Sequence, residues 1–386
     1  MRRAITTLCV VAAALLAFGL VLVDTASVQG GAAAFSFSIW KYQVAFSSTL
    51  VKQLVAAGVG IALGLVAARV HYGFWRKRWI MAALALVSVA ACLLVFLRPP
   101  VNGSRRWIMV GGFSLQPSEF SRVVMVMALA LWYDHIGPRA REFVRGVLIP
   151  GAILAFFTAP VFLSPDVGAT AVMCVAGGTV MVAAGVRWRW IILGGVCGAA
   201  LLALMLAANP NKRARLQHFF DSRRGIKTES AVAYQSEQST EAFVRGGLTG
   251  SGLGKGIQKH NYLPEANSDF IYAIAAEEFG IAATLSMVLA FVVLLWCGVF
   301  IAYHARDRFG RFLALGLTIL LAFEAAFNIG MVTGCLPPKG IALPFASAGG
   351  SSLMATLAAV GLLVAVGTTS ADAEAAPLMR NAQIEF

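Results

Sequence analysis

Asp269 stands where a carboxylate can do chemistry. It follows the polar run Asn261 to Ser268 and opens a long apolar stretch, so its side chain falls at the boundary between water and an apolar surrounding. Two uses suit that place. As a helix cap it would accept hydrogen bonds from first-turn N–H groups, worth about 1 kcal/mol; as a general base it would take a proton from a substrate hydroxyl, worth about 10² to 10⁴ in rate. Spacing alone favours the cap, and the basic residues nearby bring the base into play. Glu119 and Arg122, just after Pro117, can pair at i, i+3 on one helix face. Asp166, Glu277, Glu278 and Glu324 are further charges within or beside apolar runs, and such charges face a cavity or a partner rather than lipid.

The segment Asn209 to Ser268 carries nine basic residues against five acidic ones. An anionic ligand fits that balance, and so does a plain solvated loop. Within it, GGLTGSGLGKG (Gly246 to Gly256) resembles a phosphate loop only superficially, because Gly256 stands where a Walker loop needs Ser or Thr after its lysine. The better reading is a pliant backbone that approaches a ligand or another chain closely.

The elements that must hold these residues are membrane helices. The 386 residues are 59% hydrophobic and 13% charged, whereas soluble domains are about one quarter charged. Apolar runs able to cross about 30 Å of hydrocarbon recur near 5–24, 50–70, 79–97, 117–134, 146–164, 167–186, 188–208, 269–303, 311–333 and 346–368. The expected fold is an all-α polytopic membrane protein of about ten spans. Residues 1–386 then form one membrane domain, with 209–268 as a large extracytoplasmic loop between spans seven and eight and 369–386 as a short cytoplasmic tail. The run from Asp269 to Tyr303 is too long for a perpendicular crossing and should tilt or project.

A net charge of +13 would suggest nucleic acid in a soluble protein, but here the basic residues sit in short loops. One alternate set holds Arg2, Arg3, Arg76, Lys77, Arg78, Arg139, Arg141, Arg145, Arg187, Arg189, Arg306, Arg308 and Arg311; the other holds only Lys41, Arg98, Arg105, Arg106 and Lys339. The rich set is cytoplasmic by the positive-inside rule, which puts both termini inside. The first run, Ile5 to Val23, exceeds the usual signal-peptide core of about 7 to 15 residues and reads as an uncleaved span. Of the six cysteines none forms a CxxC, and Cys9, Cys92, Cys174, Cys197 and Cys297, inside apolar runs, read as small buried hydrophobes. Gly349, Gly350, Ser351 and Ser352 suit close helix approach as well as ligand contact.

Four segments in this order resemble the SEDS (shape, elongation, division, sporulation) family, and more closely its division branch, FtsW, than its elongation branch, RodA. They are GSRRWIMVGGFSLQPSEFSRV (Gly103 to Val123), SPDVGAT (Ser164 to Thr170), Ala233 to Gly280 with its NYLPEANSDF core, and NIGMVTGCLPPKGIALPFASAGGSS (Asn328 to Ser352). The resemblance implies a peptidoglycan glycosyltransferase of the bacterial inner membrane that polymerises lipid II on the outer face by inverting transfer. It places the essential aspartate at Asp269, with Glu119 and Arg122 as its catalytic companions. Substrate contacts are expected from Arg106, Arg215, Gln235, Gln238, Lys255, Lys259, Glu265, Ser347 and Ser351. A divalent cation, Mg or Mn, is expected to accompany the diphosphate, with no dedicated metal ligands and no organic cofactor. The implied partners are a class B penicillin-binding protein transpeptidase and other divisome membrane proteins, not nucleic acid.

Three positions depart from the family pattern: Arg122 for lysine, Ala348 for the tyrosine of SYGGS, and Asp24-Thr-Ala-Ser for a common Tyr-Ser-Ala-Ser. Two other functions share the architecture, a lipid II flippase and a non-catalytic division scaffold. A flippase would be signalled by an inverted repeat or paired broken helices, neither of which is legible here.

Overall fold

The bilayer acts as solvent, so the helices turn large apolar side chains outward: Leu86 is 67% exposed, Leu97 81% and Ile192 62%. The computed structural model of the protein describes residues 1–27, 35–39, 42–99, 105–111, 113–164, 166–208, 210–223, 231–260, 262–337 and 339–382. Lys41, Arg224, Lys227 and Glu229 lie outside the described residues, as does the side chain of Arg215.

Twelve helices are described: α1 (Arg2–Ser27), α2 (Ser48–Arg69), α3 (Arg78–Leu94), α4 (Pro117–Ile136), α5 (Ile149–Leu163), α6 (Val167–Ala183), α7 (Trp188–Ala208), α8 (Pro210–Arg223), α9 (Ala231–Gly246), α10 (Ile271–Tyr303), α11 (Arg308–Val332) and α12 (Gly350–Ala382). Seven helical segments, Arg2–Ser27, Ser48–Arg69, Arg78–Leu97, Val144–Leu163, Ile271–Tyr303, Arg308–Val332 and Gly350–Asp372, are long and apolar enough to cross a membrane. Val167–Ala183 and Trp188–Leu201 are shorter apolar helices. α4, the fourth of the ten expected spans, falls in neither group. It carries Glu119, Arg122 and Asp134, yet most of its side chains are buried in protein rather than turned to lipid. Its charges are tolerated because its neighbours, not hydrocarbon, surround them.

Two hairpins were not anticipated. β1 (Phe35–Ile39) pairs antiparallel with β2 (Tyr42–Phe46), and β3 (Ile108–Val110) with β4 (Phe113–Leu115). The second hairpin leads directly into α4, whose first residue is Pro117, pre-set for a helical first turn.

The stretch 209–268 is not a plain loop. It contains α8 and α9, and α9 packs on the start of α10, with Phe243 and Tyr272 ring centroids 5.9 Å apart, and on the end of α11, the Ser239 hydroxyl donating to Val332 O at 2.7 Å. The long run after Asp269 is not one tilted span either. α10 breaks at Gly280, whose φ of 77° and ψ of −174° lie outside any helix. The remainder, 281–303, is about 34 Å long at 1.5 Å per residue, enough for a full crossing by itself.

Small residues let α2 and α12 meet at backbone distance. A methyl on Gly64 would come 2.7 Å from Leu357 O, and one on Gly60 3.1 Å from Met354 Cα. That is how membrane helices associate when lipid removes any hydrophobic drive between them. At the far end of α4, Arg76 joins Asp134 at 2.6 Å and Asp307 at 2.9 Å, tying three connections together.

Candidate active site

α10 starts at Ile271 with Phe270 as its cap residue, and no side chain caps it. Asp269 is therefore not the helix cap that spacing alone favoured. Its carboxylate lies against Gly340, where a methyl would stand 2.6 Å from Oδ2.

The backbone around Asp269 is clamped from three directions. Asn328 of α11 donates Nδ2 to Asp269 O at 2.8 Å and to Ile341 O at 2.7 Å. The Ser347 hydroxyl donates to Ser268 O at 2.5 Å and accepts from Leu343 N at 2.8 Å. Ala348 N donates to Asn267 O at 2.8 Å. The two described non-glycine residues with positive φ, Glu265 at 57° and Phe345 at 66°, sit in the turns that frame this point. Each costs about 1–3 kcal/mol, which the clamps must offset.

Burial, with repulsion from Glu265 and Asp166, pushes the Asp269 carboxyl up from 3.8 to about 7, and the Arg106 and Lys339 cations hold back part of that rise. Arg106 also faces Asp166 at 3.7 Å. Asp166 caps α6, Oδ1 accepting from Ala169 N at 3.2 Å, and its other oxygen takes Gln116 Nε2 at 3.5 Å. Gln116 N donates to the Ser351 hydroxyl at 3.2 Å.

Deeper in the bundle the charges continue. Arg122 pairs with Glu119 on its own helix and reaches Glu324 of α11 at 2.8 Å, all three side chains being buried. A narrow recess lies beside this line, walled by Arg105, Arg106, Pro117, Ser118, Pro160 and Ser164 among others.

Of the residues expected to contact substrate, Arg106 and Glu265 adjoin Asp269. Ser347 and Ser351 are close by but spend their hydroxyls on backbone groups. Gln235 and Gln238 stand on α9, and Lys255 and Lys259 on the glycine-rich turn, which packs on the start of α10 rather than on Asp269. The expected pliant, ligand-facing turn is corrected here. Glu277 accepts from Ile257 N at 2.8 Å and Gln258 N at 3.1 Å, and Glu278 accepts from Gly254 N at 3.1 Å. Lys259 is buried against Glu278 at 2.8 Å, so its charge is committed inside the protein. Lys259→Met should cost about 3–5 kcal/mol, because it strands a buried carboxylate, while Lys259→Met with Glu278→Met should recover part of that loss. Thermal melting in detergent reads both.

The family profile described as "Cell cycle protein", which covers FtsW, RodA and SpoVE, matches residues 6–372. The chain belongs to the FtsW/RodA/SpoVE family. Relatives in this family include a protein of Trichlorobacter lovleyi named "Probable peptidoglycan glycosyltransferase FtsW", 37% identical with 95% of this chain and 92% of the relative covered. A protein of the same name from Geobacter metallireducens is 35% identical over 92% of each chain. Two solved structures share the fold. One comes from work titled "Structural coordination of polymerization and crosslinking by a peptidoglycan synthase complex", with a TM-score of 0.75 at 24% identity, covering 94% of this chain and 97% of that one. The other is the Rod shape determining protein RodA of Thermus thermophilus, with a TM-score of 0.67 at 22% identity, covering 94% and 96%.

The departures of this FtsW/RodA/SpoVE member have local explanations. Arg122 uses both ends of its planar fork, one for Glu119 and one for Glu324, which a lysine ammonium serves less directly. Asp24 Oδ1 accepts from Ser47 N at 3.5 Å and links the end of α1 to the start of α2. Ala348 contributes its backbone N–H. Sequence reading passed over Lys339 as a site residue and Asn328 altogether. A lone Asn in an apolar run and a Lys-Gly pair after a span are the signals that pointed to them.

Proposed function

We propose that this membrane protein polymerises lipid II into glycan strands on the outer face of the bacterial inner membrane, in cell division, with both termini in the cytoplasm. The observation that carries the reading is one carboxylate, Asp269, raised to about 7 by burial within the electrostatic reach of Arg106 and Lys339. A base whose pKa lies near working pH is both largely ionised and strong enough to take a proton.

In the reaction, Asp269 accepts the proton of the acceptor hydroxyl as its oxygen attacks the anomeric carbon of the donor. The bond from that carbon to the diphosphate oxygen breaks, and the polyprenyl diphosphate leaves with the electron pair. A single displacement inverts the sugar carbon. Arg106 and Lys339 stabilise the charge that develops on the departing oxygen.

Among the described residues no three His, Cys, Asp or Glu side chains converge to hold a metal ion. Mg²⁺ carried on substrate phosphates needs only one or two protein carboxylates, a demand Glu265 can meet while Asp269 stays free as the base, and Mn²⁺ is the other candidate. Such a cation would add positive charge at the diphosphate. The proposed partners are a class B penicillin-binding protein transpeptidase, which would cross-link the strand, and other divisome membrane proteins.

The test is polymerisation of labelled lipid II by the purified chain, with and without its cognate penicillin-binding protein and divalent cation. Glycan strands are expected. No product under any combination, together with lipid II translocation in vesicles, would replace this reading with transport; no product and no translocation would leave a scaffold.

A further inference from the structure

We propose that Glu324 is a positioning residue for Asp269, acting through α11. The inference rests on the polymerase reading. Glu119 alone neutralises Arg122, being its i, i+3 neighbour on α4. Glu324 adds a second carboxylate to the same guanidinium, 1% exposed and 2.8 Å away, leaving a buried cluster of one cation and two acids. Burying that extra charge costs desolvation which pairing repays only in part. Helix adhesion does not require it, since α4 and α11 already meet closely: a methyl on Gly316 would come 2.5 Å from Val126 Cγ1.

What Glu324 gains is a fixed register. One turn further along the same face of α11 is Asn328, whose amide holds Asp269 O and Ile341 O at once. A helix passes displacement along its axis with little loss, and i, i+4 positions move together. The Arg122–Glu324 ion pair therefore sets the height of α11 against α4, and Asn328 hands that height to the backbone of Asp269. A second arm leaves the same node along α4: Gln116, the residue before its first turn, donates N to the Ser351 hydroxyl and reaches Asp166 beside Arg106. Arg122 joins both arms, one ending on the backbone of the base and the other on its electrostatic neighbours.

The experiment compares native protein, Glu324→Gln, Glu324→Ala, Asn328→Ala and the Glu324→Ala/Asn328→Ala double variant, each checked for melting temperature in detergent. Misplacement of a reacting group by about 1 Å costs about 10²-fold in rate, so Glu324→Ala is expected to lower kcat by about 10- to 100-fold with KM for lipid II nearly unchanged. The double variant should fall no further than the worse single one, because both substitutions cut one strut. Native kcat in a folded Glu324→Ala chain, a rise in KM alone, or additive losses would each overturn the proposal. Should Glu324→Ala melt low, Glu324→Gln, which keeps the shape, is judged by the same criteria. Hydrogen exchange over residues 265–270 separates this inference from the polymerase reading, because it needs no turnover. Faster exchange there in the Glu324 variants, with the rest of α10 unchanged, supports the strut even in a chain that polymerises nothing. Unchanged exchange sinks it.

Discussion

Asp269→Ala is expected to lower lipid II polymerisation by about 10² to 10⁴-fold, the usual contribution of a general base. Asp269→Asn should be as inactive, since an amide of the same shape accepts no proton. Native activity should rise with pH through about 7, where the carboxyl ionises, and level off above it. The stability profile should run the other way. The folded chain holds this proton up to about 7 whereas the unfolded chain releases it near 3.8, so folded protein binds more protons in that window. Stability from this group is then fully present below 3.8 and is lost as pH rises through 7. Asp269→Asn removes that loss, so it should melt with native near pH 4 and above native at pH 8. An Asn variant that melts well below native at pH 8 would mean that the carboxylate is structural, and equal rates would end its assignment as the base.

Gly280→Ala should be strongly damaging, because it combines a forbidden backbone with a backbone clash. At φ 77° and ψ −174° the residue occupies a region essentially reserved for glycine, costing about 1–3 kcal/mol for any other residue. The methyl would also stand 2.6 Å from Gly250 N and closer still to Leu248 O, and these are backbone atoms that cannot rotate away. The break in α10 is what frees the carbonyls of Glu277 and Glu278 to take Ser251 N at 2.9 Å and Gly252 N at 3.0 Å. Loss of the break should therefore release the glycine-rich turn. The expected result is a melting temperature several degrees lower and faster protease cleavage between 247 and 260. Native melting and native cleavage would show that α10 accepts a straight course.

How much of this was legible in advance differs residue by residue. The Glu119–Arg122 pair was readable from type and spacing, because a charge beside hydrocarbon is too costly to be incidental, whereas Asp269 read as a cap on spacing alone and Arg106 entered as a site residue only through the family resemblance. Lys259 was expected as a substrate contact, and only packing reveals Glu278 behind it, which commits its charge inside the protein. The role of Asn328 was not legible, although a lone Asn in an apolar run is conspicuous, because it bonds two carbonyls remote in the chain.

The sequence by itself determined the solvent, the helical class and the family of this protein, since apolar length, loop charge and ordered motifs are local properties that survive in one dimension. The tertiary structure decided what each charge faces. Asp269 acts as a raised carboxylate rather than a cap because α10 begins two residues later and the 341–348 turn closes over it. The 33-residue helix became a short buried segment plus one crossing because a turn from upstream inserts at Gly280. Electrostatic environment and backbone close approach depend on distances between segments far apart in the chain, and those distances exist only once the helices have packed.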